Sequence, residues 1–183
     1  MKGNVIEFSR CQICGEVYMG ATRPSNCPHC GAKGKYMVPV ADWTDENETI
    51  TGLSGVSREN LVKALQLEVN NAPFYRDASE KAKTIELKGI FKGLGKIEAE
   101  HASLVRKILK CEMPAPEPGR KKASDDDLDN IRLAHDREIF ATDFYKRSAE
   151  NAAEPRVKKV FTALSEIEND HIDVEGRLLD RHK

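Results

Sequence analysis

Two short segments of the sequence carry the same pair of metal-binding side chains. The segment KIEAEHASLV places Glu98 three residues before His101, and EIENDHIDVE repeats this spacing with Glu168 and His171. Side chains three residues apart share one face of a helix, so each pair can bind one ion. Two further glutamates lie on the apolar stripes of other helical segments, and these are Glu68 and Glu138. The six side chains therefore indicate two similar halves of one metal site.

The similarity extends over both halves of the chain. A shift of 70 residues aligns eight pairs without a gap: Glu68/Glu138, Phe74/Phe144, Tyr75/Tyr145, Phe91/Phe161, Leu94/Leu164, Ile97/Ile167, Glu98/Glu168 and His101/His171. Four carboxylates in an apolar core would repel one another and lose their hydration, unless two divalent cations balance their charge. One Glu from each of two helices with Glu-x-x-His from each of two others is typical of di-iron carboxylate bundles. The repeat predicts such a dimetal site.

A second metal site is indicated by four cysteines near the N-terminus. Cys11 and Cys14 form one Cys-x-x-Cys pair, and Cys27 and Cys30 form another. Four thiolates in a tetrahedral arrangement bind zinc or iron. Zinc would make the site structural, whereas iron would make it a one-electron carrier. Because an adjoining dimetal site needs a source of electrons, we predict iron here, with zinc as the substitute.

These residues require two kinds of structure to position them. Residues 1–42 contain short β-type segments with Gly and Pro between them, residues 43–56 form a linker, and residues 57–183 have helical periodicity. We expect Ser57 to cap the first of four helices and Pro73 to kink it. A long Pro-rich connection separates the two helical pairs. The predicted fold is mainly α, a four-helix bundle with one crossover preceded by a small β domain.

Composition excludes several classes of protein. The net charge is −1 and no long Lys/Arg run indicates nucleic-acid binding. No stretch approaches the roughly 20 apolar residues that span a bilayer, and the N-terminal segment lacks the apolar core of a signal peptide. We therefore expect a soluble cytoplasmic protein with no membrane partner, in which cysteines are metal ligands more often than disulfides.

Together these motifs resemble the rubrerythrins, with a rubredoxin-like four-cysteine domain fused to a ferritin-like bundle. The cysteines precede the bundle here, which is similar to the order in reverse rubrerythrins. The resemblance implies a di-iron peroxidase that reduces hydrogen peroxide to water. It also implies that electrons arrive from an NAD(P)H-linked reductase or a rubredoxin. A ferroxidase or oxidase that uses oxygen, or a non-enzymatic iron-binding or electron-transfer protein, are the alternatives.

The resemblance also assigns roles to individual residues. It makes Glu98 and Glu168 bridging ligands, and it implies that the other ligands are terminal. The terminal ligands are Glu68, Glu138, His101 and His171. It further implies that Tyr75 and Tyr145 hydrogen-bond ligand carboxylates.

The family's standard type has one more Glu close to the terminal Glu of the third helix. Here Ala141 stands three residues after Glu138 and His135 three residues before it. We expect either a six-ligand site or a site in which His135 takes the place of the extra Glu. We expect the two metal sites to lie far apart within one subunit, and therefore a homodimer or higher homo-oligomer that brings one subunit's cysteines beside the other's bundle.

Overall fold

The computed structural model describes residues 6–118 and 122–182. Four long α-helices dominate the described residues, and their bounds are α1 Gly55–Lys81, α2 Ile85–Leu109, α3 Asp127–Asn151 and α4 Pro155–Arg181. A small antiparallel sheet precedes them, so the predicted mainly α fold is confirmed. None of the helices described is both long enough and apolar enough to cross a membrane.

The helices begin at residues that satisfy their free backbone N–H groups. The Ser54 hydroxyl accepts a hydrogen bond from the backbone N of Ser57, so α1 begins at Gly55. The prediction that Ser57 is the cap is wrong, because Ser54 already provides the acceptor one turn earlier. Helix α4 begins at Pro155, where the N–H that proline lacks would have no partner within the helix. Although a proline removes one helical hydrogen bond, α1 continues through Pro73.

The bundle consists of two helical hairpins that are related by the sequence repeat. Helix α1 packs along α2 and α3 along α4, each pair joined by three residues, while residues 110–126 separate the hairpins. Equivalent aromatic pairs fill equivalent places, since the Tyr75 and Phe91 ring centroids are 6.2 Å apart and those of Tyr145 and Phe161 are 6.0 Å apart. All four rings are fully buried. The repeat is therefore present in the packing as well as in the sequence.

The four-cysteine domain is built on a three-stranded sheet in the order β2-β1-β3, with β1 Glu7–Cys11, β2 Val17–Gly20 and β3 Met37–Pro39. After each Cys-x-x-Cys pair the chain turns through a glycine with positive φ, 86° at Gly15 and 80° at Gly31. L-residues rarely adopt this conformation, which explains the glycines at both positions. The two turns bring both cysteine pairs to one end of the sheet.

The four-cysteine domain rests on the bundle of its own chain. Arg156, at the start of α4, is 4% exposed and donates hydrogen bonds to the backbone carbonyls of Gln12 at 2.7 Å and Ile13 at 2.8 Å. Lys33 forms an ion pair with Asp170 at 2.5 Å. A buried guanidinium with several acceptors holds the loop between Cys11 and Cys14 firmly, because leaving these groups unpaired would be costly.

Candidate metal centres

The four glutamates and two histidines predicted from the repeat converge in the middle of the bundle. Helix α1 carries Glu68, α2 carries Glu98 and His101, α3 carries Glu138, and α4 carries Glu168 and His171. All four carboxylates and His101 are fully buried, and His171 is 5% exposed. Their donor atoms form two groups, each with all its atoms within 4.8 Å of one another, namely Glu68, Glu98, His101 and Glu168, and Glu98, Glu138, Glu168 and His171. Each group has the size of a single metal site.

Glu98 and Glu168 belong to both groups. One oxygen of Glu168 lies 3.2 Å from Nδ1 of His101, and its other oxygen lies 2.8 Å from Nδ1 of His171. A carboxylate that presents one oxygen to each histidine is placed to bridge two ions. Oε1 of Glu98 lies 4.0 Å from His101 Nδ1 and 3.6 Å from His171 Nδ1. The geometry therefore fits the bridging roles expected for these two glutamates.

Several ligand atoms at the centre of the bundle have no hydrogen-bond partner. Among the described residues, a set of buried ligand atoms makes no hydrogen bond: Glu68 Oε2, Glu98 Oε1, His101 Nδ1, Glu138 Oε2, both oxygens of Glu168 and His171 Nδ1. Buried polar groups are normally paired, because an unpaired one costs about 1–3 kcal/mol or more when charged. A pair of cations would provide partners for these oxygen and nitrogen atoms, which all converge on one point. The residues present thus fit a di-iron site.

Burial makes these carboxyl groups hard to ionise without a cation. Burial, together with the charge of Glu168, raises the pKa of Glu68 and Glu98 well above the ordinary value, and burial with the charge of Glu98 does the same for Glu138. Burial acts on Glu168 as well, but the two histidines beside it outweigh this effect and lower its pKa to about 2. Metal ions must therefore displace protons from most of the site when they bind.

His101 connects the two metal centres directly. Its Nε2 lies 2.9 Å from the backbone carbonyl oxygen of Cys30, which can only accept, so Nε2–H donates. This hydrogen bond leaves Nδ1, which faces the carboxylates, as the nitrogen that can bind a metal. The expectation that the two sites lie far apart within one subunit is wrong. The turn at Gly31 places this carbonyl against the bundle, where an added Cβ would approach Ile167 to 3.0 Å.

The four cysteine sulfurs form a compact buried cluster. Cys11 Sγ lies 3.8 Å from Cys30 Sγ, and Cys14 Sγ lies 3.8 Å from Cys27 Sγ. Hydrogen bonds from neighbouring thiols lower the pKa of Cys27, whereas thiolate neighbours and burial raise that of Cys30. Four thiols this close cannot all ionise unless a cation holds them. The cluster fits a rubredoxin-like metal site, as predicted.

The backbone around the cysteines is also supported by polar contacts. Nε1 of Trp43 donates to the carbonyl of Cys11 at 3.1 Å, and the guanidinium of Arg10 stacks 3.4 Å from the centre of the Trp43 ring. Nε of Arg10 donates to the carbonyl of Gly15 at 2.6 Å. These contacts fix the loops that carry the sulfur atoms.

Two buried tyrosines bind the terminal carboxylates across the bundle. The Tyr145 hydroxyl on α3 donates to Glu68 on α1, and the Tyr75 hydroxyl on α1 donates to Glu138 on α3. Each tyrosine therefore forms a hydrogen bond with the terminal glutamate of the other repeat. Such hydrogen bonds to ligands orient the carboxylates and tune their basicity.

Two polar residues near the site were not found from the sequence. Asn71 on α1 donates from Nδ2 to Oε2 of Glu98 at 3.4 Å. Glu175 on α4 is fully buried and lies 2.8 Å from the Tyr75 hydroxyl. Their helical spacing could have shown them, since Asn71 stands three residues after Glu68 and Glu175 four residues after His171. Both positions face the same side as a ligand.

The structure does not bring His135 into either ligand group. His135 is half-buried on α3, and Ala141, three residues after Glu138, is fully buried and carries no polar group. Neither side chain supplies the extra carboxylate of the standard type. Within the bundle, the ligand groups found among the described residues consist of the six residues of the repeat alone.

A four-helix bundle with a buried carboxylate and histidine cluster, joined to a four-cysteine domain, defines a ferritin-like protein with two candidate metal centres. A family model described as Rubrerythrin matches residues 59–179, which is more than half of the chain, so the chain belongs to the rubrerythrin family. Members of this family are typically oxidoreductases. The four-cysteine domain comes first, in keeping with the predicted resemblance to reverse rubrerythrins.

Two relatives support this assignment. The chain is 31% identical over 111 residues to reverse rubrerythrin-1 of Clostridium acetobutylicum, an alignment that covers 55% of this chain and 60% of that protein. The solved structure of a hypothetical protein from Pyrococcus furiosus superimposes with a TM-score of 0.59 at 25% identity, covering 73% of this chain and 93% of that one. The chain thus spans about three fifths of the curated relative.

The stability of protein stripped of metal should fall as the pH rises from about 5 to 8. Burial raises the pKa of Glu175 to about 8, and it raises the pKa of Glu68, Glu98 and Glu138 well above the ordinary 4.5. As the pH rises, the unfolded chain therefore loses protons that the folded chain keeps. Burial alone would lower the pKa of His101, but Glu168 raises it to about 9, and its contribution is likewise lost as the pH rises.

Glu168 affects stability in the opposite direction, and its effect changes with pH only in the acidic range. Because its folded pKa is about 2, it stabilises the protein above pH 4.5 and loses that contribution only as the pH falls towards 2. Calorimetry of chelator-treated protein should give the highest melting temperature near pH 5, and added Zn(II) should raise it most at pH 8. A melting temperature that increases from pH 5 to 8 without metal would contradict this account.

Proposed function

We propose that this protein is a non-haem di-iron peroxidase that reduces hydrogen peroxide to water. The observation that carries the proposal is the hydrogen bond between His101 and the carbonyl of Cys30, which joins a ligand of the dimetal site to the four-cysteine site. An enzyme that oxidises its own metal pair in each cycle needs electrons returned to it, and this contact supplies a route. Its place among the oxidoreductases of the rubrerythrin family supports the same reading.

The residues of the bundle prepare the site for this chemistry. Two ferrous ions held there would supply the two electrons that reduction of the O–O bond requires. Glu98 and Glu168 would keep the ions adjacent, and the tyrosines hold the terminal carboxylates in fixed orientation. Because the ligands are buried, few water molecules compete with the substrate.

Electrons would return one at a time through the four-cysteine site. From the sulfur of Cys30 the path runs through its own backbone to the carbonyl oxygen, across the hydrogen bond to Nε2, and through the imidazole to Nδ1. An NAD(P)H-linked reductase or a rubredoxin is the proposed donor. A reducing compartment such as the cytoplasm would keep the cysteines available as ligands. A homodimer or higher homo-oligomer is the proposed assembly.

Oxygen is the second candidate oxidant, as in a ferroxidase or oxidase. It is favoured because neither Ala141 nor His135, the residues three positions from Glu138, is the extra glutamate of the family's standard type. A site without that carboxylate would not be specialised for peroxide in the manner of the standard type.

The two candidates are separated by the rates at which reduced protein reacts with each oxidant. Iron-loaded protein reduced under anaerobic conditions should be oxidised by hydrogen peroxide much faster than by oxygen at equal concentration. The expected stoichiometry is one peroxide for each pair of bundle irons. Faster oxidation by oxygen would favour the oxidase, and no reaction with either would leave an electron-transfer or iron-binding protein.

A further inference from the structure

Glu175 is a fifth carboxyl group buried in the bundle, and the proposed metal chemistry does not use it. It lies on α4 one turn after His171 and is fully buried. The repeat gives it no equivalent, because the corresponding residue of the first half is Val105, which is also fully buried. Glu175 belongs to neither of the ligand groups found in the described residues. A buried carboxyl group that replaces an apolar side chain is costly and requires a reason.

The contacts of Glu175 lead to a metal ligand through one tyrosine. The hydroxyl oxygen of Tyr75 lies 2.8 Å from Oε1 of Glu175 and also contacts Oε1 of Glu138. A tyrosine has a single hydroxyl proton, so it can donate to only one of these two oxygens. The second contact is a hydrogen bond only if the carboxyl group brings its own proton. In the other half of the bundle Tyr145 contacts Glu68, and Val105 has no proton to offer.

The surroundings favour a proton on Glu175 rather than on Glu138. Burial raises the pKa of Glu175 to about 8, and the nearby charge of Glu168 acts in the same direction. Among the described residues, the other titratable groups whose charge acts on Tyr75 or Glu175 are Glu98 on α2, Glu138 on α3 and Glu168 on α4. With metal bound, the ligand carboxylates of Glu98, Glu138 and Glu168 are ionised. Glu175 is then the carboxyl group among these four that keeps its proton.

We propose that Glu175 stores a proton and passes it through Tyr75 to Glu138 while hydrogen peroxide is reduced. The O–H bond of Glu175 breaks as the Tyr75 oxygen gains that proton, and Tyr75 releases its own proton to Glu138. Reduction of peroxide to two waters consumes two electrons and two protons. Glu138 releases the relayed proton to hydroxide formed when the O–O bond breaks, the electrons come from the metal pair, and the second proton comes from the solvent. This inference rests on the proposed function.

Two substitutions distinguish proton delivery from simple hydrogen bonding. Glu175→Gln keeps the shape and can donate to Tyr75 but has no proton to release, and Glu175→Val introduces the residue that the first half carries. Both variants should retain bundle iron, and the oxidation of reduced protein by peroxide should slow about 100-fold, the lower range for a placed acid. Asp173→Asn, an exposed acidic position on the same helix, is the control and should react normally. A normal rate in Glu175→Gln would overturn the proposal.

Infrared spectroscopy provides a measurement that does not depend on turnover. In iron-loaded protein the ligand carboxylates are ionised, so a carbonyl stretch of a buried protonated carboxyl group should come from Glu175. The band should shift in heavy water and be absent from Glu175→Gln. If the wild type does not react with peroxide, the proposed function fails, and this band still decides whether Glu175 holds a proton. Identical spectra for wild type and Glu175→Gln would overturn the inference.

Discussion

Glu98→Ala should remove the metal from the bundle and leave the four-cysteine site intact. Glu98 is one of the two carboxylates shared by both ligand groups, so its loss weakens the binding of both ions. Loss of a residue that only supports a ligand typically costs 10–100-fold in metal affinity, and loss of a bridging ligand should cost more. Metal analysis of anaerobically purified protein should find iron at the cysteines alone, and peroxide turnover should be absent.

The same substitution should stabilise the protein when no metal is present. Without metal the Glu98 carboxyl group bears the cost of its own burial, and its removal also ends its repulsion of Glu138, whose pKa it raises. Glu86→Ala is the matched control, because Glu86 is on the same helix, is 60% exposed and pairs only with Arg181 among the described contacts. Unchanged bundle metal in Glu98→Ala would show that the sequence repeat does not define a metal site.

The fold and the central ligands could be predicted because they leave periodic signals. A glutamate on an apolar helical stripe is a charged residue at a position that should be buried. Because such glutamates recur at the same spacing in both halves, they indicate a common function. Glu98 and Glu168 are recognisable in this way. Asn71 and Glu175 each occur in one half only, opposite Ala141 and Val105, so the repeat carries no signal for them.

The docking of the four-cysteine domain could not be predicted for a different reason. It depends on contacts between residues far apart in the sequence, such as Arg156 with the carbonyls of Gln12 and Ile13, and Lys33 with Asp170. In a chain with 32% charged residues, no single arginine or aspartate is conspicuous. Backbone carbonyls are present at every residue and carry no sequence signal, so the link between Cys30 and His101 was not visible either.

Cys14→Ser should stop electron return without preventing a single oxidation of the bundle. Cys14 is one of four clustered sulfur ligands, and a hydroxyl is a far weaker ligand for iron than a thiolate. The variant should lose the visible absorption of the four-thiolate iron. The carbonyl of Cys30 and the bundle ligands are untouched by this change. Reduced protein should therefore react once with peroxide at the normal rate, while turnover with NAD(P)H and a reductase should fall to background.

Combining the two inactive variants tests whether the electron path lies within one chain. Glu98→Ala keeps a working four-cysteine site, and Cys14→Ser keeps a working dimetal site. Because His101 contacts Cys30 of its own chain, mixed oligomers of the two variants should remain inactive in steady-state turnover. The variants can be co-expressed with a different affinity tag on each chain and purified through both tags in succession. Recovery of a substantial part of wild-type turnover in that preparation would mean that electrons pass between chains, from the cysteines of one to the bundle of the other.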